Sequence, residues 1–267
     1  MKSKRGKKKR HPFSGLELTP KPKTKKKPPP PKPSLSPQGA RFAKWRAVLN
    51  VGGGRPSSMA VTENCHALAR YAQIAQANGL VPIVEPEVTL GPGDYTIEET
   101  AYVSERVYSH VMRQLNEYNV NLGAILLKPN MILPGLDAEA ASPAEVAKWT
   151  VRVLKRTLPP AVPGVHFLSG GMSEFESTVN LQALQDECPD APWSLTFSYG
   201  RALQSATLKT WAGEKGNVDA AQKILVALAK ANSEAQLGKF KPETHPVPSK
   251  IGEGRILQAL RLGGPGK

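Results

Sequence analysis

Five short apolar runs, spaced between residues 45 and 197, set the main constraint on how this chain can fold. They are Trp45-Arg46-Ala47-Val48-Leu49, Val81-Pro82-Ile83-Val84, Ala124-Ile125-Leu126-Leu127, Val165-His166-Phe167-Leu168 and Ser194-Leu195-Thr196-Phe197. Each is too short for a helix and too continuous for a strand with one face in water, so each reads as a strand buried in a parallel sheet. The stretches between them have helical period and start signals. Thr96-x-x-Glu99, Ser142-Pro143-x-Glu145 and Ser173-x-x-Glu176 have the capping-box spacing, and Pro143 falls at a first-turn position. A first helix is expected over about Ser57 to Asn78, ended by Gly79, with others over about 201–211 and 217–236.

Strand and helix thus alternate about five times, which calls for a parallel sheet with helical crossovers. A closed barrel of this type needs eight units and typically about 250 residues, whereas residues 41–236 provide about 195. The expected class is therefore α/β, of the (β/α)8 TIM-barrel kind but incomplete, with about five of the eight units.

Composition narrows the function classes. The net charge of +14 is concentrated at one end. Residues 1–33 contain 13 Lys and Arg and one acid, Glu17, leaving 23 basic and 21 acidic residues in the rest. Nucleic-acid binding by the whole chain loses its support there. Residues 1–38, Lys-rich and Pro-rich with four prolines at Pro28–Pro31, read as a disordered tail, and polyanion or nucleic-acid binding is an open reading for that tail alone. A barrel portion over 39–239 and a flexible C-terminal tail over 240–267 complete the expected organisation. No apolar run is long enough to span a membrane. Cys65 and Cys188 do not imply a disulfide framework, and the five histidines have no metal-ligand spacing, so neither a metal nor another cofactor is expected.

The most informative residues follow the apolar runs. Lys44 and Arg46 accompany the first, Glu85 and Glu87 follow the second, and Lys128 ends the third. Ser169-Gly170-Gly171 follows the fourth and Tyr199-Gly200-Arg201 the fifth. In a β/α barrel the C-terminal strand ends share one face, and the active site is built there. A lysine after a buried strand is ordinarily the chain reaching solvent. Lys128, however, is followed at once by Pro129-Asn130 and has another cation, Lys44, nearby in the sheet. Burial and a neighbouring positive charge both favour a neutral amine, which attacks a ketone carbonyl to form an imine. Glu85 is placed to protonate the departing hydroxyl, although a structural ion pair with Lys44 or Arg46 is the plainer reading. Ser169-Gly170-Gly171 before a helix start, and Gly200-Arg201 on the next strand, suit a phosphate.

Together these residues resemble the class I fructose-bisphosphate aldolases, metal-independent (β/α)8 barrels that work through a lysine imine. The similarity is carried by Phe42-Ala43-Lys44-Trp45-Arg46, Gly79 to Glu87, Leu126-Leu127-Lys128-Pro129-Asn130, Phe167 to Gly171, Phe197 to Leu203 and Lys230 to Lys239. Glu87 to Tyr95 is similar to algal and plastid versions. The resemblance implies cleavage of fructose 1,6-bisphosphate to dihydroxyacetone phosphate and glyceraldehyde 3-phosphate, in plastid or cytoplasm. By motif, Lys128 forms the Schiff base and Glu85 is the acid/base. Lys44 and Arg46 hold the reacting end or its distal phosphate. Ser169, Gly170, Gly171, Gly200 and Arg201 hold the phosphate next to the ketone, and Glu87 pairs with the lysines. Members are commonly tetramers, so a homo-oligomer is a further expectation.

Against the family pattern, nothing in residues 1–38 can supply the three βα units that precede Phe42 in full members. Those units carry an aspartate and a lysine close to the imine. The C-terminal tyrosine of the family is also absent, and Gly123 and Phe175 depart from its usual residues. An isolated chain of this kind is expected to expose apolar sheet edge and helix faces. A non-catalytic binding module acting through the basic tail is the alternative reading.

Overall fold

The computed structural model describes residues 39–89 and 93–254. The basic tail, the Leu90-Gly91-Pro92 part of the plastid-like stretch and residues 255–267 lie outside the described residues.

The alternation read from the sequence is present. One sheet of five parallel strands has the order β1 (Phe42–Asn50), β2 (Val81–Thr89), β3 (Leu126–Leu127), β4 (Gly164–Phe167) and β5 (Ser194–Phe197). The crossovers are α1 (Ser58–Ala77), α2 (Ile97–Glu117), α3 (Pro143–Thr157) and α4 (Glu174–Glu187), with α5 (Arg201–Trp211) and α6 (Val218–Ala235) after β5. Each strand pairs with its successor in the chain, the winding of a barrel wall. The sheet does not close: β1 and β5 are its two ends.

The helix starts follow from side-chain chemistry. Thr96, Ser142 and Ser173 each accept a bond from the backbone N–H three residues on, while Glu99, Glu145 and Glu176 accept one from the cap residue's own N–H. All three capping boxes satisfy N–H groups that no helical carbonyl can reach. Gly79, at φ 73°, follows the end of α1, where a left-handed residue turns the chain into β2. Between helices and sheet lies the core, with Val84, Leu127, Val165 and Phe167 packed against Leu68, Val107, Leu115 and Leu154, all fully buried.

One expectation is corrected. The first run reads as a strand buried on both faces, yet Phe42 is 62% and Trp45 55% exposed, and Val48 is exposed as well. As an end strand β1 has a neighbour on one side only, so just Ala47 and Leu49 among its side chains reach the core. Leu208, Trp211 and Val226 are exposed near the other end, so apolar surface appears at both ends, as expected. The C-terminal segment, expected to be flexible from residue 240, is described as far as Gly254. Its described part packs on α4. Phe240 is buried and donates its N–H to Gln182 at 2.9 Å. His245 is buried, and the N–H groups of Gly252 and Gly254 donate to Glu176 at 2.6 and 2.9 Å.

Removing a cap should cost less than opening the core. We expect Ser142→Ala to destabilise by about 1 kcal/mol and Phe167→Ala by about 3–5 kcal/mol, measured by urea unfolding of the two variants alongside the unaltered chain.

Candidate active site

Successive strand residues point to opposite faces, so Lys44 and Arg46 share a face of β1, as Glu85 and Glu87 do on β2. The parallel register sets Arg46 beside Glu85. The side chains then pair one step along the strand. Lys44 Nζ lies 2.7 Å from Glu85 Oε2, and Arg46 Nε donates to Glu87 Oε2 at 2.5 Å. Lys128, just past β3, brings its Nζ to 3.3 Å from the other Glu85 oxygen. Glu85 thus holds one lysine with each oxygen. Both Glu85 and Glu87 are buried, and Lys128 is much more enclosed than Lys44.

The five residues from the first three strands therefore meet on the sheet face away from the helices. Glu87, paired with the lysines by resemblance, is held instead by Arg46 and by Thr89, whose hydroxyl donates at 3.2 Å. The bond to Glu87, opposed by burial, raises the Arg46 guanidinium above its already high value. Lys44 takes Glu85 and leaves Glu87 to the guanidinium, a division that side-chain reach decides.

The glycine corners come together only in part. Gly171, at φ 82°, and Arg201 line one cleft of about 140 Å³ at the start of α4. Ser169, Gly170 and Gly200 are not among its lining residues. Ser169 is buried, and Gly170 lies against Leu168 and the Glu87 carboxylate, where an added Cβ would come within 3.1 Å of Leu168. The cleft also includes Glu174 and Glu253, so an anion there would depend on Arg201 and the amide-rich start of α4. Burial raises the Glu174 carboxyl above the usual range, opposed by its bond from the Ala206 N–H.

Sequence reasoning missed three parts of this region. His166 on β4 is half-buried and feels Lys128: burial, then repulsion from that ammonium, lowers its imidazole below the ordinary 6.5. Its place in the middle of an inward-outward alternation is the signal that marks it. The segment Val247–Gly254 lines the cleft, and only the structure reveals it. Asn130 is quoted as part of a motif but has a bonding role of its own, described below. Among the described residues no group of three or more His, Cys, Asp or Glu could hold a metal ion, and no helix is long and apolar enough to cross a membrane.

A lysine just past β3 and a buried carboxylate on β2, with further cations beside them, lie together on one face of a parallel β/α sheet. Known proteins give the family. Residues 34–252 match the family model described as "Fructose-bisphosphate aldolase class-I", and the chain belongs to that family. It is 56% identical over 217 residues to the cytosolic fructose-bisphosphate aldolase 4 of Arabidopsis thaliana, covering 81% of this chain and 54% of the relative. It is 52% identical to the fructose-bisphosphate aldolase of Dictyostelium discoideum, covering 77% and 58%. It is also 52% identical to the chloroplastic aldolase 1 of Arabidopsis thaliana, covering 80% and 53%. The fold is similar to fructose-bisphosphate aldolase from Plasmodium falciparum, solved in complex with TRAP and a small-molecule inhibitor. There the TM-score is 0.74 at 50% identity, over 76% of this chain and 59% of that one. The chain spans a little over half the length of the curated relatives it matches.

His166 supplies a direct report on the site. In Lys128→Met the titration midpoint of its ring protons, followed by NMR, should rise part of the way towards 6.5. Removing the ammonium removes a repulsion that disfavours imidazolium, while burial still disfavours it.

Proposed function

We propose that this chain carries the imine-forming part of a class I aldolase site and acts on fructose 1,6-bisphosphate, giving dihydroxyacetone phosphate and glyceraldehyde 3-phosphate. The observation that carries the proposal is the placement of Lys128 Nζ 3.3 Å from a Glu85 carboxylate that also binds Lys44. One proton passed from the Lys128 ammonium to Glu85 yields a neutral amine and a carboxylic acid, the two forms that imine formation needs. The amine attacks the C2 ketone, and Glu85 protonates the carbinolamine hydroxyl, which leaves as water. The resulting iminium accepts the electron pair of the C3–C4 bond as Glu85 takes the C4 hydroxyl proton, releasing the aldehyde. Protonation of the enamine at C3 and hydrolysis of the imine release the ketone product and restore the amine.

Lys44 and Arg46 line the approach to this pair and suit the distal phosphate. Arg201 and the Gly171 end of the loop before α4 suit the phosphate next to the ketone, with Ser169, Gly170 and Gly200 shaping the adjacent backbone. The relatives are named as cytosolic and chloroplastic enzymes, which supports cytoplasm or plastid as the compartment. The exposed apolar surface at both ends of the sheet supports an assembled state, including a homo-oligomer, over an isolated chain.

The test is borohydride trapping with dihydroxyacetone phosphate, followed by mass spectrometry of the peptides. We expect one reduced adduct, on Lys128, that disappears in Lys128→Met and falls by about two orders of magnitude in rate in Glu85→Gln. No adduct on Lys128 in a folded sample overturns the proposal.

A further inference from the structure

The lysine's own strand is the shortest in the sheet, two residues long. Its backbone gives the lysine one tie to β2, from the Lys128 N–H to the Val84 carbonyl at 2.8 Å. In a regular parallel ladder the N–H of residue 86 would then donate to the Lys128 carbonyl. That residue is Pro86, which has no N–H, and Pro129 stands at the matching position beyond β3. The ladder therefore breaks at the point where the two strands deliver Glu85 and Lys128.

It resumes through a side chain. The Val88 N–H donates to Asn130 Oδ1 at 2.9 Å, so the amide oxygen takes the place a backbone carbonyl would hold. Tyr108, from α2, donates its phenol to the same oxygen at 3.0 Å, and Asn130 Nδ2 donates to the Met131 carbonyl at 3.1 Å. Asn130 and Tyr108 are both buried. Burial pushes the Tyr108 phenol far above its ordinary range, so it stays a donor throughout the neutral range. Val88 is the residue after Glu87, and Asn130 is two residues from Lys128. Hence this knot ties the acidic strand end to the lysine-bearing one.

We propose that Asn130, anchored by the Tyr108 hydroxyl, is a positioning residue that fixes the end of β3 against β2 and so sets the Lys128–Glu85 separation. This rests on the imine-forming reading above. Neither residue touches substrate in this assignment; both act through the lysine and the glutamate. A misplacement of about 1 Å at a reacting group can lower a rate on the order of a hundredfold, so a bond two residues away can matter that much.

The test uses the full chain with Tyr108→Phe, Asn130→Ala and a control, Thr150→Val. Thr150 accepts a buried bond from the Ile132 N–H at 2.9 Å, on the same segment but further from the lysine. In borohydride trapping with dihydroxyacetone phosphate, Tyr108→Phe and Asn130→Ala should lower the saturating rate about tenfold while moving the half-saturating concentration less than about twofold. Thr150→Val should lower the melting temperature comparably and leave the rate unchanged. Rates that follow melting temperature across all three variants overturn the proposal. If Asn130→Ala does not fold, Tyr108→Phe, which keeps the ring, decides alone.

Trapping failure in the unaltered chain would instead remove the aldolase reading. Positioning is then judged by acetic anhydride labelling of Lys128 relative to the exposed Lys239 in the same sample. The ratio should change about threefold or more in Tyr108→Phe and Asn130→Ala but not in the control. Equal ratios throughout overturn the proposal.

Discussion

A carboxylate taken out of water needs a cation, and Glu85, 3% exposed, has two. Stripping solvent from a charge is expensive unless it is paired and hydrogen-bonded. Lys44 on β1 and Lys128 after β3 therefore converge on β2 from both sides. Three neighbouring strand segments thereby contribute to one charge cluster. Glu87 repeats the logic one step further out with Arg46. The same five charges that make the sheet face costly to bury are the ones on which the proposed chemistry rests.

Legibility varied with the distance over which the physics acts. Helix starts were readable because a cap and its partner lie three residues apart, as at Thr96 and Glu99, Ser142 and Glu145, and Ser173 and Glu176. Strand positions were readable from apolar runs, although the burial of β1 was not, since burial depends on what lies beside a strand. Lys128 and Glu85 stood out because they end such runs. Their meeting depended on a register set by pairing across more than forty residues of sequence. The assignment of Glu87 to Arg46 lay beyond the reach of spacing, because competition between two cations for two carboxylates is settled by side-chain geometry. The same holds for Asn130, whose bond from the Val88 N–H stands where Pro86 in β2 and Pro129 beyond β3 interrupt the backbone ladder.

The C-terminal segment makes contacts that its composition does not announce. Its proline and glycine content suits a tail, yet Gly252 and Gly254 bring backbone N–H groups to Glu176, the carboxylate that already caps α4. One side chain thereby serves a helix start and a distant loop. Gly254 approaches so closely that an added Cβ would lie 2.1 Å from the Ser173 nitrogen. Composition describes a segment by itself, whereas order here comes from a carboxylate on another element.

A long end strand with Phe42, Trp45 and Val48 uncovered is a template on which other chains can add, and charges set into such a strand oppose that addition. Lys44 and Arg46 occupy those places. Charges of that kind oppose edge-to-edge pairing, and here the same two side chains pair with Glu85 and Glu87.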